Sequence, residues 1–237
     1  MNDLANVPDL SGHQADEPKT LAEAAYRQLR RDIIEGVHRP GEKLRVEHLK
    51  DQYAVGAGTL REALQLLVTD ALVVAQGQRG FRVAPISLDD FEDITRTRVL
   101  LETVALQQSI ELGDDTWEAN VVASFHMLSR AEEKLVDGTN ASREEWELRN
   151  RAFHEVLISA STSRWLRHFQ NILYLQSERY RRLSLFRQPI SRDVHAEHQA
   201  IVDAALARNS KEAARILTEH VLRTLEAVRK LPADLLS

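Results

Sequence analysis

The sequence contains no cysteine, which excludes disulfide bonds and thiolate metal sites and fits a reducing compartment. It also lacks an apolar run long enough to cross a membrane. The first residues show no basic start followed by an apolar segment, so we find no secretory signal. We therefore expect a cytoplasmic protein with no membrane partner.

What the chain does contain is typical of a soluble globular protein. Its 237 residues are 43% hydrophobic and 28% charged, enough for one large domain or two ordinary ones. The net charge of −5 argues only weakly against a nucleic-acid partner, because the charge is unevenly distributed. Residues 1–17 carry 4 acids and no bases, residues 18–86 carry 11 bases against 8 acids, and the remainder carries 20 bases against 24 acids. A polyanion would meet the basic early segment rather than the average of the chain.

The first 86 residues show a recognisable order of elements. Residues 1–17 are polar and aperiodic, which predicts a disordered tail. Thr20 is a good helix N-cap before the apolar stripe of "LAEAAYRQLRRDII", and two further helix patterns, "RVEHLKDQYA" and "TLREALQLLVTDAL", flank the interruption "VGAG". The β-rich runs "LVVAQ" and "FRVAP" flank the turn "GQRG", as in a hairpin. This order predicts a winged helix-turn-helix domain over residues 18–86, with another kind of small α+β domain as the alternative.

The remainder of the chain shows only helix patterns. Pro85 closes the first domain, and Ser87 is a good N-cap with carboxylates in the turn that follows. The predicted helices cover residues 88–112, 115–137, 142–160, 163–186, 191–208 and 210–230. The sequence therefore predicts a mainly α protein, in which an antiparallel all-helical bundle over residues 87–232 follows the winged domain.

Several phrases at characteristic distances resemble one family. They are "LRRDIIEG", "PGEKL", "LREALQLL", "QRGFRVA", "RVLLE", "NRAFHEVL", "EHQAIVDA" and "EAARILTEHV". The first part is similar to the DNA-binding domain of GntR-type regulators, and the helical remainder resembles the FCD ligand-binding domain of their FadR-like branch. "EWELRNRAFH" and "YAVGAGTLREAL" also resemble a sub-branch that represses dicarboxylate and amino-acid breakdown pathways in carbon-starved bacteria. The resemblance implies a homodimeric, ligand-responsive repressor that binds palindromic double-stranded operator DNA.

The second helix of a helix-turn-helix enters the major groove of DNA with its first turn. Here that turn is "GAGTLR", in which Arg61 is the one long hydrogen-bond donor and Thr59 offers a short hydroxyl. Arg61 would grip a phosphate or a guanine edge. The alternative for Arg61 is a surface ion pair with Glu62 or Asp51.

The resemblance assigns further DNA contacts and also shows a departure. Arg45 matches a position where the family grips DNA, and Arg79 with Gly80 matches a wing tip that reaches into the minor groove. Where the family has Ser-Arg-Thr-Pro, this chain has Gly-Ala-Gly-Thr at residues 56–59, so an arginine that would read a base is Ala57. Small residues bring the helix N-terminus close to phosphate, and we expect specificity to depend more on the remaining arginines, the wing and the shape of the DNA.

Four residues of the helical part have the spacing of a metal site. Asn150 and His154 are four residues apart, so they share one helix face. His198 and His220 are 22 residues apart and lie on the last two predicted helices, 191–208 and 210–230. If these two helices are antiparallel, the two histidines can lie at the same height along them. One helix that supplies two groups and two helices that supply one each form a common metal site in bundles. The alternatives are three unrelated packed histidines, or His195 in place of His198.

The resemblance supports this metal site, because FCD domains commonly hold a divalent metal with Asp-x3-His and two single histidines. Asn150 departs from the usual Asp, so four neutral ligands would leave the metal charge uncompensated and attract an anionic ligand. We expect a divalent transition metal, zinc first, with nickel, iron or manganese as alternatives. The other five histidines look like surface residues; they are His13, His38, His48, His126 and His168.

An acidic effector also needs fixed cations near the metal. The candidates are Arg98, Arg149 and Arg181. The alternative for each is a surface charge paired one helical turn away, such as Arg98 with Glu102.

Two other functions stay open beside a repressor that senses a small mono- or dicarboxylic acid through a metal. One is a metal-dependent enzyme of small carboxylates, which we consider disfavoured because Glu155 and Glu197 project about 100° away from their histidine neighbours and are poorly placed as general bases. The other is a constitutive DNA-binding dimer with a purely structural metal. We expect a regulator and no enzyme.

Overall fold

A computed structural model describes residues 18–135, 138–187, 192–232 and 235–236. The predicted tail over residues 1–17 lies outside these residues, as does His13. The chain divides into two compact units. Of the described residues, the first unit contains 18–92, 175–186 and those from 228 onward, and the second contains those between 93 and 174 and between 187 and 227.

The first unit contains the winged helix-turn-helix that the sequence predicts. Its elements are α1 (Leu21–Ile34), β1 (Lys43–Leu44), α2 (Val46–Gln52), α3 (Ala57–Thr69), β2 (Val73–Ala75), a short 3-10 turn (Gly77–Arg79) and β3 (Phe81–Val83). The strands form an antiparallel sheet in the order β1-β3-β2, with Leu44 opposite Phe81 and Val73 opposite Val83. Strand β1 was not predicted, because two residues are too few to show alternation.

A side-chain cap marks the start of α1 but not that of α3. The Thr20 hydroxyl accepts a hydrogen bond from the Glu23 amide at 3.1 Å, which confirms the predicted N-cap of α1. Helix α3 begins at Ala57, two residues before the predicted start at Thr59, and its N-cap is Gly56 without a side-chain hydrogen bond. The core under these helices includes five fully buried leucines; they are Leu29, Leu60, Leu64, Leu67 and Leu72. Each such side chain contributes about 1.5–3 kcal/mol relative to exposure.

A buried polar chain closes the loop before β1. His38 was predicted to lie on the surface, which is wrong: it is 5% exposed, and its Nε2 lies 2.9 Å from the Tyr53 hydroxyl. That hydroxyl donates to Asp32 Oδ2 at 2.5 Å, and His38 Nδ1 lies 3.1 Å from Glu42 Oε1. Burial, followed by the hydrogen bond to Asp32, raises the pKa of Tyr53. Tyr53, the buried partner of His38, is 15 residues away in the sequence, so no local pattern marks His38 as buried.

The predicted helical part is confirmed as six helices within the described residues. They are α4 (Leu88–Leu112), α5 (Asp115–Lys134), α6 (Asn140–Leu157), α7 (Arg164–Arg187), α8 (Val194–Leu206) and α9 (Ser210–Arg229). In the second unit α5 packs against α6 and α8. Within the part of the chain that the structure describes, no helix has both the length and the apolar composition of a membrane span.

Three of these helices, α4, α7 and the end of α9, also contribute residues to the first unit. The Tyr180 hydroxyl on α7 donates to Asp90 Oδ2 at 2.6 Å and accepts from the Ser87 amide at 3.2 Å, and its ring stacks on Phe91 at 4.4 Å. Arg179 donates to the Ala84 carbonyl at 2.6 Å. Ser87 Oγ accepts from the Asp90 amide at 3.1 Å, which confirms the predicted N-cap of α4. The winged domain is therefore packed against the start of α4 and the second half of α7.

Candidate functional site

The N-terminus of α3 presents bare backbone in the first unit. The N-cap residue is Gly56, so no side chain caps the helix, and a Cβ added at Gly58 would meet no atom within 4 Å. The first amides of a helix have no partner within the helix and carry its positive dipole end. This combination favours an approaching phosphate oxygen over a side-chain contact.

The predicted DNA-contacting arginines are exposed side chains of the first unit. Arg45 is the N-cap of α2, Arg61 lies in α3, and Arg79 ends the 3-10 turn between β2 and β3. Among the residues that the structure describes, none of these arginines forms an ion pair within 4 Å, so the alternative of an Arg61 ion pair with Glu62 or Asp51 is absent there. Their guanidinium groups are thus available to a polyanion.

Two further predicted DNA contacts depend on backbone geometry. Gly80 has φ +89°, in the left-handed region that glycine tolerates, and it follows Arg79 directly at the tip of the hairpin. Thr59 is half-buried in the first turn of α3. Whether these five residues contact DNA stays a prediction.

The second unit brings three of the predicted metal ligands together. His154 on α6, His198 on α8 and His220 on α9 are all buried, and each offers a ring nitrogen within 4.8 Å of the others. Their ring centroids are 4.8–5.7 Å apart. His198 Nε2 is fully buried and has no hydrogen-bond partner in the described chain. A buried imidazole nitrogen without a partner is costly unless something binds it, and a cation fits this set of donors.

Two carboxylates lie within hydrogen-bond distance of two of these imidazoles, and sequence reasoning missed both contacts. Glu132 on α5 places Oε1 2.8 Å from His198 Nδ1 and Oε2 2.7 Å from His195 Nδ1. Glu197 places Oε2 2.8 Å from His220 Nδ1. Glu197 does project away from its neighbour His198, but that direction leads to the next helix.

A signal for Glu132 exists in the sequence. Val121, Phe125, Leu128 and Glu132 follow one face of α5 at intervals of four, three and four residues. A carboxylate on an apolar stripe is rarely buried unless a partner compensates it. The identity of that partner is invisible in the sequence, because His198 is 66 residues away.

Asn150 lies one turn before His154 and is also buried. Its amide nitrogen donates to the Tyr174 hydroxyl at 2.6 Å. The structure thus places Asn150 on the predicted helix face and shows a protein partner for its nitrogen. Its role as a metal ligand through the amide oxygen stays a prediction.

The predicted effector-binding arginines lie in three different environments. Arg98 donates to Glu102 from Nε at 2.8 Å and from Nη2 at 3.4 Å, in a pair that is 4% and 2% exposed, and its guanidinium lies 5.5 Å from the centroid of the Tyr174 ring. Arg149 is paired with Glu145 at 2.7 Å at the edge of solvent. Both arginines therefore pair with a carboxylate one helical turn away, which was the alternative to effector binding. The Arg98 pair is buried, however, rather than on the surface.

Arg181, the third candidate, belongs to the first unit. It is 8% exposed, and its Nη1 lies 3.4 Å from Ser177 Oγ. The histidines and Arg98 belong to the second unit, so the structure assigns Arg181 to a different compact unit from them.

Comparison with known proteins finds one family model for each part of the chain. Residues 21–83 match the family model described as bacterial regulatory proteins, gntR family, and residues 93–223 match the FCD domain model. An uncharacterized HTH-type transcriptional regulator, BphR of Paraburkholderia xenovorans, is 47% identical over 90% of this chain and 86% of its own length. The HTH-type transcriptional repressor GlaR of Escherichia coli is 36% identical over 88% of this chain and 96% of its own length.

Solved structures share the fold. E. coli McbR/YncC superposes with a TM-score of 0.73 over 89% of this chain and 98% of its own, at 19% identity. A putative transcriptional regulator GntR from Rhodococcus sp. RHA1 gives 0.69 over the same shares, also at 19% identity. The matched families and relatives are transcriptional regulators and not enzymes, which confirms the expectation made from the sequence.

Proposed function

This chain belongs to the GntR family of bacterial transcriptional regulators and carries an FCD domain, and on that premise we propose that it is a repressor controlled by a small mono- or dicarboxylic acid bound at a metal. Repression is proposed because the relative GlaR is named a transcriptional repressor. The observation that carries the sensing role is the buried cluster of three imidazoles with the unpartnered His198 Nε2.

The proposed metal would be held by His154, His198 and His220, with Asn150 as a fourth ligand. These donors fit zinc first, and nickel, iron or manganese as alternatives, rather than magnesium or calcium. When bound, such an ion supplies a local positive charge to which a carboxylate can bind. The chain's own residues supply the shape and the hydrogen bonds around it.

Recognition of the acid is proposed to involve Arg98 together with the metal. Arg98 is buried, as a carboxylate-binding arginine in a closed site must be, and it faces Glu102, which already occupies its fork. An incoming carboxylate would therefore compete with Glu102 for the same donors. Arg149 and Arg181 stay weaker candidates, because the first is bound at a solvent-exposed edge and the second belongs to the first unit.

The proposed operator contacts are Arg45, Thr59, Arg61, Arg79 and Gly80. We propose that two copies bind a palindromic operator, because one winged domain offers few contacts and a dimer links two half-sites. Leu100 and Val104 lie one turn apart on α4 and are 67% and 43% exposed. A second copy is the natural cover for this apolar face.

The proposed domain division is a DNA-binding domain over 18–86 and an effector-binding domain over 87–232. Helix α4 carries Phe91, packed in the first unit, and Arg98, paired in the second. An effector controls DNA binding only through its different affinity for two arrangements of the protein, typically 1–3 kcal/mol.

The test is a thermal-shift screen of small mono- and dicarboxylic acids on the full chain, with and without zinc. We expect at least one acid to raise the melting temperature only with zinc, and to change the affinity for the DNA upstream of the protein's own gene about 5- to 150-fold. His154→Ala should abolish the zinc-dependent shift. If zinc binds but no acid changes the melting temperature or DNA affinity, the metal is structural and the sensing role is wrong.

A further inference from the structure

Two of the three clustered imidazoles have one ring nitrogen occupied by a carboxylate. His198 Nδ1 lies 2.8 Å from Glu132 Oε1, and His220 Nδ1 lies 2.8 Å from Glu197 Oε2. The side chains of Glu132 and Glu197 are 11% and 6% exposed, so both carboxylates are largely removed from water. The same arrangement therefore occurs twice, on different helices.

An ionised carboxylate can only accept a hydrogen bond, so each Nδ1 that faces one carries the proton. A neutral imidazole with a proton on Nδ1 has its lone pair on Nε2. His198 Nε2 is the atom that is buried without a partner. The hydrogen bond to Glu132 thus leaves the lone pair of His198 Nε2 directed into the interior. No N–H group of the described chain donates to this lone pair, and a cation could bind it.

We infer that Glu132 and Glu197 are positioning residues of the metal site, which fix the tautomer and ring orientation of His198 and His220 and so present two Nε2 atoms to one ion. This inference rests on the proposed metal-binding function. Imidazole ligands of metals usually donate their other N–H to such a partner, which orients the ring and raises its basicity.

Each positioning carboxylate is held in turn through its second oxygen. Glu132 Oε2 lies 2.7 Å from His195 Nδ1, and the His195 ring stacks on Phe125 at 5.5 Å. His195 is therefore a support of Glu132, and its side chain is 53% exposed, unlike the buried His198.

Glu197 is supported by arginines. Its Oε1 accepts from Arg223 at 3.0 Å, and Arg192 lies 3.5 Å from Oε2 while donating to the His220 carbonyl at 3.2 Å. These three charged residues also line a cleft of about 510 Å³. Both oxygens of each carboxylate are thus satisfied, which makes their burial tolerable.

The two carboxylates also change the charge balance that the sequence suggested. Asn150 and the three imidazoles are neutral, so a bound dication appeared uncompensated. Glu132 and Glu197 supply negative charge next to the ligands. Arg192 and Arg223 offset Glu197, whereas Glu132 pairs only with histidines within the part of the chain that the structure describes. We expect Glu132 to contribute more than Glu197 to holding a dication.

The test measures zinc affinity of the full chain by competition with a chelator, for the wild type, Glu132→Gln and Glu197→Gln. Loss of such a partner typically weakens metal binding 10- to 100-fold, and we expect a loss in this range, larger for Glu132→Gln. Glu133→Gln is the matched control, because Glu133 is the next residue on α5, is 72% exposed and, among the described residues, pairs only with Arg130 at 3.6 Å. It should bind zinc like the wild type.

A second readout needs neither zinc nor a variant. In the metal-free wild type, ¹⁵N NMR of the imidazoles should show His198 and His220 with the proton on Nδ1. The opposite tautomer at His198 would overturn the inference even if Glu132→Gln failed to fold.

The outcomes separate the two proposals. If the wild type binds zinc and Glu132→Gln binds it equally well, the positioning role is wrong and the metal site stands. If the wild type binds no zinc, the metal site itself is wrong, and the positioning role is overturned with it.

Discussion

The candidate DNA-binding region and the histidine cluster differ in exposure and in how their polar groups are paired. The candidate DNA contacts include three exposed cations, and in the described chain Arg45, Arg61 and Arg79 have no ion-pair partner. The histidine cluster is buried, and His198 and His220 each have a carboxylate to hold them. The first kind of site acts through long-range charge that salt screens, and its contacts contribute separately. The second kind is organised in advance and should fail as a unit.

Salt concentration should affect the two sites very differently, and its effect on operator affinity should be the largest of those predicted here. Raising salt from about 50 to 200 mM should weaken operator binding on the order of 10³-fold or more, if a dimer makes six or more phosphate contacts. Zinc affinity should change far less, because the cluster is buried. Titrations of both ligands over the same salt series measure this. Parallel losses would show that the two sites do not differ in this way.

Arg61→Ala should give the next largest effect. A good arginine contact to a base edge is worth about 1–3 kcal/mol, and a dimer loses it twice, so operator affinity should fall on the order of 100-fold or more. Fluorescence anisotropy with a labelled operator fragment measures the loss. Arg130→Ala, at a side chain 62% exposed on α5, is the control and should bind normally. Normal operator binding by Arg61→Ala would remove Arg61 from the interface.

His154→Ala tests the other side of the comparison. Loss of a residue that hydrogen-bonds a metal ligand typically weakens metal binding by roughly 10- to 100-fold. Removal of one of the three clustered imidazoles should weaken zinc binding at least as much. Operator affinity in the absence of effector should stay as in the wild type. Metal analysis after dialysis measures zinc binding, and fluorescence anisotropy measures operator affinity. His126→Ala on the exposed side of α5 is the control. Unchanged zinc content in His154→Ala would exclude this cluster as the site.

Asn150→Asp should give the smallest effect, and in the opposite direction. A carboxylate adds negative charge beside the ion, and the Tyr174 hydroxyl that now accepts from Asn150 would donate to Asp instead. We expect zinc to bind on the order of tenfold more tightly, since opposite charges at this range contribute a few kcal/mol at most in a protein. Asn120→Asp, on an exposed position of α5, is the control. Weaker binding by Asn150→Asp would contradict the charge argument.

The sequence predicts most of the fold because its signals are local. Thr20 and Ser87 cap their helices as expected, and the predicted helices of the second half differ from the observed ones by a few residues at their ends. The exceptions are also local in origin. Strand β1 is too short to show a pattern, and Gly56 gives no side-chain signal for the start of α3.

The site was harder to predict, because its parts meet only in three dimensions. The spacing of His154, His198 and His220 led to a cluster that the structure contains. The spacing could not reveal Glu132, which reaches His198 across 66 residues, or the buried position of His38. Partners of this kind depend on helix packing and not on periodicity along one helix.

The central claim is that three imidazoles of the second unit converge on one metal ion. X-ray absorption spectroscopy at the zinc edge of the zinc-loaded full chain tests it most directly. We expect the outer-shell scattering of about three imidazole rings per zinc, and its loss in His198→Ala. A spectrum with only oxygen ligands, or one that His198→Ala leaves unchanged, would contradict the claim.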